Sequence, residues 1–152
     1  MSLYTSQINV GKISALFIST HASKSRVTKP VIELDLFGIK EDKYYNTNIQ
    51  RSILITSLSS YSLAKSKEIH IPYGGLGENL LIDYNPYKLQ AGAQLKIGTC
   101  ILEITQNCTM CDHLSNIDEN LPELLKHDRG IFAKVLQEGE IKLQDNIFLL
   151  DT

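Results

Sequence analysis

Residues 93–105 read AQLKIGTCILEIT, and this stretch decides the fold. Apolar side chains occupy alternate positions before and after Gly98, namely Leu95, Ile97, Cys100, Leu102 and Ile104. A period of two residues is typical of a strand with one buried face. Gly98 is a natural turn residue between two such runs. The stretch therefore predicts two short strands separated by a turn.

The same period recurs along most of the chain. It is found in five further stretches, residues 13–18, 32–37, 51–57, 78–83 and, as a final strand, 141–150. Helix signals are fewer and shorter. They cover residues 57–65, the segment 120–125 with Pro122 in its first turn, and residues 130–138. Many short strands with brief helices, mostly near the C terminus, predict a mainly β fold that forms a small closed or nearly closed β-barrel.

Composition narrows the class of protein. The chain has 152 residues, 43% of them hydrophobic, and no linker rich in Pro, Gly or Ser, which predicts one domain over residues 1–152. A net charge of −2 argues against nucleic acid or an anionic membrane as a partner. Three cysteines, with no basic and apolar leader at the start, predict a reducing, cytoplasmic location.

The cysteine pair Cys108 and Cys111 has C-x-x-C spacing. Two thiolates at this spacing can bind a metal or form a disulfide. A zinc site would need a fourth ligand beyond these two and His113, and a thioredoxin-like pair would need a βαβ context. The alternative is packing, with Cys108 filling the core and Cys111 a loop thiol. Cys100, within an alternating strand, is predicted to be a core residue.

A glycine-rich segment, IPYGGLGENLLID, spans residues 71–83. Its glycines permit positive φ angles and a close approach of main-chain N–H groups to a ligand. It does not match a Walker loop or a dinucleotide fingerprint, because no Lys-Ser/Thr and no helix follow it. Either an anion cradle or a plain turn fits the pattern. Glu78 and Asn79 offer a carboxylate and an amide that could bind a heterocycle or brace the loop.

Candidate anion contacts are sparse. The chain has only three arginines, Arg26, Arg51 and Arg129, and Lys43 follows an aspartate. Each could bind a phosphate or carboxylate, or be a solvated surface charge. The histidines form no H-E-x-x-H motif, and no G-x-S-x-G motif is present, so zinc proteases and serine hydrolases have little support.

Taken in order, these segments resemble the MOSC domain, named after the C-terminal part of molybdenum cofactor sulfurases. The stretches that carry the resemblance are GKISALFIS (11–19), FGIKEDKYYN (37–46), RSILITS (51–57), YGGLGENLLID (73–83), LQAGAQLKIGTCILEITQNCTMC (89–111) and RGIFAKVLQEGEIKLQDNIFLL (129–150). The resemblance implies a β-barrel-like fold. It also places the family's characteristic cysteine at Cys111.

In that family the cysteine either ligates molybdenum in a pterin cofactor or carries sulfur as a persulfide. Both roles need an accessible, stabilised thiolate. The resemblance implies that Cys111 holds molybdenum as the catalytic residue. It further implies that Gly77, Glu78 and Asn79 contact the pterin or brace its loop, and that Arg51 or Lys43 neutralises the cofactor phosphate.

Two functions follow from the resemblance. One is a molybdenum-cofactor-dependent oxidoreductase that reduces N-hydroxylated small molecules and needs an external redox partner. The other is a sulfur carrier or cofactor-binding module that uses a Cys111 persulfide, takes sulfur from a donor protein and has no turnover of its own. Tyr44, Cys108 and Met110 depart from the family pattern, which frequently has a histidine, a basic residue and a proline at these places. Cys108 leaves open a disulfide or persulfide relay with Cys111.

Overall fold

A computed structural model describes residues 6–23, 26–109 and 112–151. Its strands are β1 (Ser6–Ile18), β2 (Val27–Thr28), β3 (Val31–Asp35), β4 (Gly38–Ile39), β5 (Ile53–Ser57), β6 (Leu80–Ile82), β7 (Gln94–Ile97), β8 (Cys100–Asn107), β9 (Ile131–Gln137), β10 (Gly139–Lys142) and β11 (Asn146–Asp151). The helices are α1 (Leu58–Ser66), α2 (Asp112–Ser115) and α3 (Leu121–Leu124), with a 3-10 turn at Ile49–Arg51.

Seven strands close into a barrel. The strand order is β1-β6-β5-β9-β8-β7-β11, and β11 pairs again with β1 to complete the circuit. Neighbours in this barrel are antiparallel, apart from the parallel pair β5 and β6. A three-stranded sheet, β10-β3-β4, lies beside it. The predicted small, closed, mainly β barrel is confirmed.

The barrel interior is filled by the alternating apolar residues. Ile53 and Ile55 of β5 are fully buried in the main core, together with Leu80 of β6 and Cys100 of β8. Cys100 is thus a core residue, as predicted, and burial raises the pKa of its thiol to about 12. The intervening residues of β5, Leu54 and Thr56, belong to the opposite face of the strand, because successive side chains point to opposite faces.

Segment 130–138 is not a helix, and this prediction was wrong. Residues 131–137 form strand β9, paired with β5 on one side and β8 on the other. Ile131, Ala133 and Val135 join the barrel core, while Phe132 is buried on the opposite face. Because β9 has apolar residues on both faces, its apolar and polar residues do not alternate, and the spacing of the apolar residues resembles that of a helix.

The predicted final strand 141–150 is two strands. β10 ends at Lys142 and β11 begins at Asn146. Gln144 between them has a φ of 69°. The backbone N–H of Lys142 donates to the Asp145 carboxylate at 2.8 Å, which stabilises the reversal.

The predicted helix at 57–65 is confirmed as α1. It begins after Ser57, whose side-chain oxygen accepts a hydrogen bond from the N–H of Ser59 at 3.1 Å. This helix lies in the crossover between the parallel strands β5 and β6, a connection that parallel pairing requires. It packs outside the barrel in a second apolar cluster with Leu76, Leu81 and Leu121.

The helix predicted near 120–125 corresponds to α3, with proline in its first turn. No helix within the described ranges has the length and apolar character needed to cross a lipid bilayer.

Leu80→Ala is expected to lower the free energy of unfolding by about 2 to 5 kcal/mol, because Leu80 is fully buried and truncation leaves a cavity. Urea unfolding followed by circular dichroism measures the change. The control is Leu136→Ala in β9, where the side chain is 40% exposed and the expected cost is about 1 kcal/mol or less. Equal losses in the two variants would contradict the assigned interior of the barrel.

Candidate functional site

The glycine-rich segment forms a tight loop before β6. Gly74 and Gly77 both have a φ of 89°, in the left-handed region that favours glycine. Backbone hydrogen bonds from the N–H of Gly75 to Pro72 and from the N–H of Gly77 to Gly74 fold the loop back on itself. The loop therefore fixes the positions of the next two residues, Glu78 and Asn79, just before β6.

Asn79 joins the two strands that flank β6. Its backbone N–H donates to the Leu54 carbonyl and its carbonyl accepts from the Phe17 N–H, each at 2.8 Å. Its side-chain amide binds the same two residues. Oδ1 accepts from the Leu54 N–H at 3.0 Å and Nδ2 donates to the Phe17 carbonyl at 3.2 Å. These four bonds join β5 and β1, whereas the two roles that the resemblance implies for Asn79, pterin contact or bracing of the cofactor's loop, stay predictions.

Glu78 is a fully buried carboxyl group. Its Oε2 accepts hydrogen bonds from the Tyr61 hydroxyl at 2.6 Å and from the Gly74 N–H at 3.2 Å. Its Oε1 is buried and has no hydrogen-bond partner among the described residues. Burial raises the pKa of Glu78, and the hydrogen bond from Tyr61 and the charge of Arg26 oppose that rise.

Leu54, Cys108 and Phe132 form a small apolar cluster on the outer wall of the barrel, which we call the wall cluster. Cys108 is buried and carries a free thiol, and its backbone N–H donates to the Gly130 carbonyl at 3.0 Å. Gly130 has to be small, because a Cβ atom there would lie 2.8 Å from Cδ1 of Leu54. The chain therefore packs against this cluster as it leaves the end of β8.

Arg51 lies on one side of the wall cluster. Its guanidinium carbon is 5.5 Å from the centre of the Phe132 ring, a cation–π arrangement. The Gln106 amide, with its oxygen turned toward Arg51, accepts from Nε at 3.0 Å and Nη2 at 3.2 Å. Arg51 is thus held against the barrel wall.

Arg26 and Arg129 lie around Gly77. A Cβ atom on Gly77 would be 3.7 Å from Nη2 of Arg26, 3.7 Å from Nη2 of Arg129 and 4.0 Å from Cδ2 of Leu54. Arg129 is buried, and its Nη2 donates to the Leu76 carbonyl at 3.3 Å. All three arginines of the chain therefore border the wall cluster or the glycine loop beside it.

Lys43 lies in a different place. It lines an open cleft of about 670 Å³ with His21 and Lys40, and its ammonium is 5.4 Å from the centre of the Tyr44 ring. The cleft adjoins Asp42, whose carboxylate accepts hydrogen bonds from the N–H groups of Ser19 and Tyr44. The structure groups Gly77, Glu78, Asn79 and Arg51 around the barrel wall and places Lys43 in this neighbouring cleft.

Cys111 and Met110 lie outside the described residues, and the side chain of His113 is not described either. The molybdenum or persulfide role of Cys111 thus stays a prediction, as does its relay with Cys108. Within residues 6–23, 26–109 and 112–151, no three His, Cys, Asp or Glu side chains are grouped closely enough to hold a metal ion.

Sequence reasoning did not single out two members of the site. Tyr61, whose hydroxyl also accepts from the Gly74 and Leu76 N–H groups, lies in the helix predicted at 57–65, where the sequence gives no sign of a polar role. Arg26 was one of three equivalent arginines. Because Arg26 is far from the glycine loop in the sequence, no local pattern indicates that Arg26 and the loop are in contact.

Comparison with known proteins identifies the fold and family. The model of the MOSC domain family matches residues 42–148, and the chain belongs to this family. No curated protein matches the chain.

Among solved structures, the YuaD protein from Bacillus subtilis is similar, with a TM-score of 0.83 at 15% identity, covering 97% of this chain and 98% of that one. YiiM from Geobacillus stearothermophilus gives a TM-score of 0.68 at 14% identity, covering 96% of this chain and 76% of that one. YiiM from Escherichia coli gives 0.68 at 15% identity, covering 93% and 70%. At these identities the likeness shows a shared fold.

Asn79→Ala is expected to lower the free energy of unfolding by about 2 kcal/mol or more, because the Leu54 N–H and the Phe17 carbonyl lose their partners in a buried setting. Urea unfolding measures the loss. Asn116→Ala, at an exposed position between α2 and α3, is the matched control and should change stability by about 0.5 kcal/mol or less. Equal effects would show that the amide of Asn79 does not brace the strands.

Glu78→Gln is expected to change how stability depends on pH. Because the pKa of Glu78 is raised in the fold, the native state binds more protons than the unfolded chain between the ordinary carboxyl value and the raised one. The wild-type protein should therefore lose stability relative to Glu78→Gln as the pH rises through this window. Urea titrations across the window, from acid to neutral pH, compare the two. A relative gain by the wild type would reverse the sign and refute the assignment.

Proposed function

We propose that this MOSC-family protein binds a molybdenum–pterin cofactor, with the Cys111 thiolate as the protein ligand of the metal. The observation that carries the proposal is the convergence of charge and sulfur on one wall of the barrel. Arg26 and Arg129 lie beside the glycine loop, and Arg51 lies beside the wall cluster. Cys108 belongs to the same wall cluster and precedes Cys111 by three residues.

The residues present fit such a group in two respects. The cofactor carries a phosphate, and buried guanidinium nitrogens of Arg26 and Arg129 have no partner within the described part of the chain. A thiolate is also a ligand type suited to a soft metal centre. In a chain with a net charge of −2, this local concentration of cations is what an anionic cofactor requires.

Each residue has a defined task in this proposal. Cys111 holds the metal, and Glu78 and Asn79 keep the glycine loop in place beside it. Arg51, fixed against Phe132, presents a positive charge to an anionic group. Cys108 packs against Leu54 and Phe132, and its backbone N–H anchors it to the Gly130 carbonyl.

When bound, the cofactor supplies a metal centre that exchanges electrons and oxygen, which suits the reduction of N-hydroxylated compounds. The chain contributes binding and orientation. Asn79 fixes β6 between β1 and β5, and Leu54 and Phe132 of the wall cluster shield the Cys108 side chain from water. An external reductase would supply the electrons.

Expression in a host that makes the molybdenum cofactor tests the proposal. Elemental analysis of gently purified protein should find near-stoichiometric molybdenum in the wild type and a loss of most of it in Cys111→Ser. Cys108→Ala is the matched control, because it removes the neighbouring thiol and should retain the metal. Metal-free wild-type protein, or equal retention in Cys111→Ser, would refute the proposed ligand.

Intact mass on the same samples detects the sulfur-carrier alternative. A mass gain of one sulfur atom, released by cyanide and absent from Cys111→Ser, without molybdenum, would replace cofactor binding by persulfide transfer. Activity with a hydroxylamine-type substrate and a suitable reductase then separates a loaded enzyme from a cofactor-binding module.

A further inference from the structure

Residues 128–130 lie between α3 and β9, outside any helix or strand, and side-chain hydroxyls hold their backbone. The Arg129 carbonyl accepts a hydrogen bond from the Thr56 hydroxyl at 2.9 Å, and the Asp128 carbonyl accepts one from the Ser60 hydroxyl. Thr56 and Ser60 are both fully buried. Because a shielded carbonyl group needs a donor, these two hydroxyls fix the path of the chain at this point.

The hydrogen bonds around Ser60 have a defined direction. A serine hydroxyl has one proton and the Asp128 carbonyl can only accept, so Ser60 donates to Asp128. The Tyr87 hydroxyl, 2.6 Å from the Ser60 oxygen, therefore donates to Ser60, and it accepts from the Ser57 N–H at 2.8 Å. Burial raises the pKa of Tyr87 to about 12, so this hydroxyl keeps its proton at neutral pH. The network ties residues 128–130 to the beginning of α1.

Gly130 makes the contact with the cysteine segment, which we define as residues 108–111. The Gly130 carbonyl accepts the Cys108 N–H at 3.0 Å. A Cβ atom on Gly130 would lie 3.2 Å from the Thr56 hydroxyl oxygen and 2.8 Å from Cδ1 of Leu54, so the backbone here packs closely against β5. The Thr56 hydroxyl thus holds one carbonyl, and the next carbonyl along the chain holds Cys108.

From these contacts we infer that Thr56 and Ser60 are positioning residues for the reactive cysteine of the proposed function. They act through the backbone of residues 128–130, which binds the Cys108 N–H. Cys111 follows Cys108 by three residues, which span at most about 11 Å, so the position of Cys108 limits the positions open to the Cys111 thiol. A reacting group displaced by about 1 Å can lose about 100-fold in rate. The inference rests on the proposed function only in naming Cys111 as the reacting thiol.

Cysteine labelling of protein from a host without the molybdenum cofactor tests the positioning. Iodoacetamide labelling is followed by peptide mass spectrometry in a Cys111→Ser background, so that the buried Cys108 and the fully buried Cys100 are the two thiols measured. Thr56→Val removes the hydroxyl and keeps a similar shape. It should raise the labelling rate of Cys108 relative to Cys100 about tenfold, because the backbone opens locally more often once the Arg129 carbonyl has lost its donor.

Three further variants make the result specific. Thr56→Ser keeps a hydroxyl and should label Cys108 at the rate of the parent. Ser60→Ala should raise the labelling of Cys108 as Thr56→Val does, and it decides the question if Thr56→Val fails to fold. Leu95→Ala is the matched control, because Leu95 is fully buried in β7, at least two strands away from β5, and its truncation destabilises the whole barrel. It should leave the ratio of the two labelling rates unchanged.

An unchanged labelling ratio in both Thr56→Val and Ser60→Ala would overturn the inference. So would an equal change of the ratio in Leu95→Ala, because the thiol would then be exposed by unfolding of the whole barrel. The consequence for the reactive cysteine is measured with Cys111 intact, in a host that makes the molybdenum cofactor.

In that host Thr56→Val should lose most of its bound molybdenum, and Thr56→Ser should retain it. Full retention in Thr56→Val would overturn the positioning role. Metal-free wild-type protein would instead refute the proposed cofactor, and the labelling ratios would still decide whether Thr56 and Ser60 position the cysteine segment.

Discussion

The structure depends on the way Asn79 holds three strands together. Four hydrogen bonds, two from its backbone and two from its amide, link β6 to Leu54 of β5 and to Phe17 of β1. Because β5 and β6 are parallel, their connection has to cross outside the barrel, through α1 and the glycine loop. Asn79 fixes the end of that crossover. The position of Glu78, Gly77 and the surrounding arginines follows from this attachment.

The outer wall of the barrel has a composition different from its interior. Inside, β5 and its neighbours contribute apolar side chains alone at positions such as Ile53 and Ile55. Outside, Leu54 packs with Cys108 and lies near Gly77, and the buried Glu78 carboxyl group, the buried Arg129 and the partly buried Arg26 lie around this loop. Buried charges without partners are rare in proteins and concentrate at functional sites. Their presence here, in a MOSC-family barrel, is the physical reason for proposing an anionic ligand at this wall.

Much of the fold could be predicted from the sequence. The alternation in residues 93–105 gives β7 and β8, and Gly98 between them has a φ of 57°. β9 could not be predicted in this way. Its residues are buried on both faces, by the barrel core inside and by Leu54 and Cys108 outside, so the two-residue period is lost. The candidate site was only partly predictable. Gly77, Glu78 and Asn79 form a local motif, whereas the approach of Arg26 and Arg129 to that motif has no local signature.

The sequence by itself determined which residues face inward along each alternating strand, where glycine turns fall, and which segment carries the paired cysteines, because these depend on neighbours a few positions apart. The tertiary structure alone decided which distant segments meet. Pairing of β11 with β1 closes the barrel, and the fold brings Gly77 of the crossover close to Arg26 and Arg129, which come from two other parts of the chain. Such contacts depend on long-range backbone pairing, which no short stretch of the chain encodes.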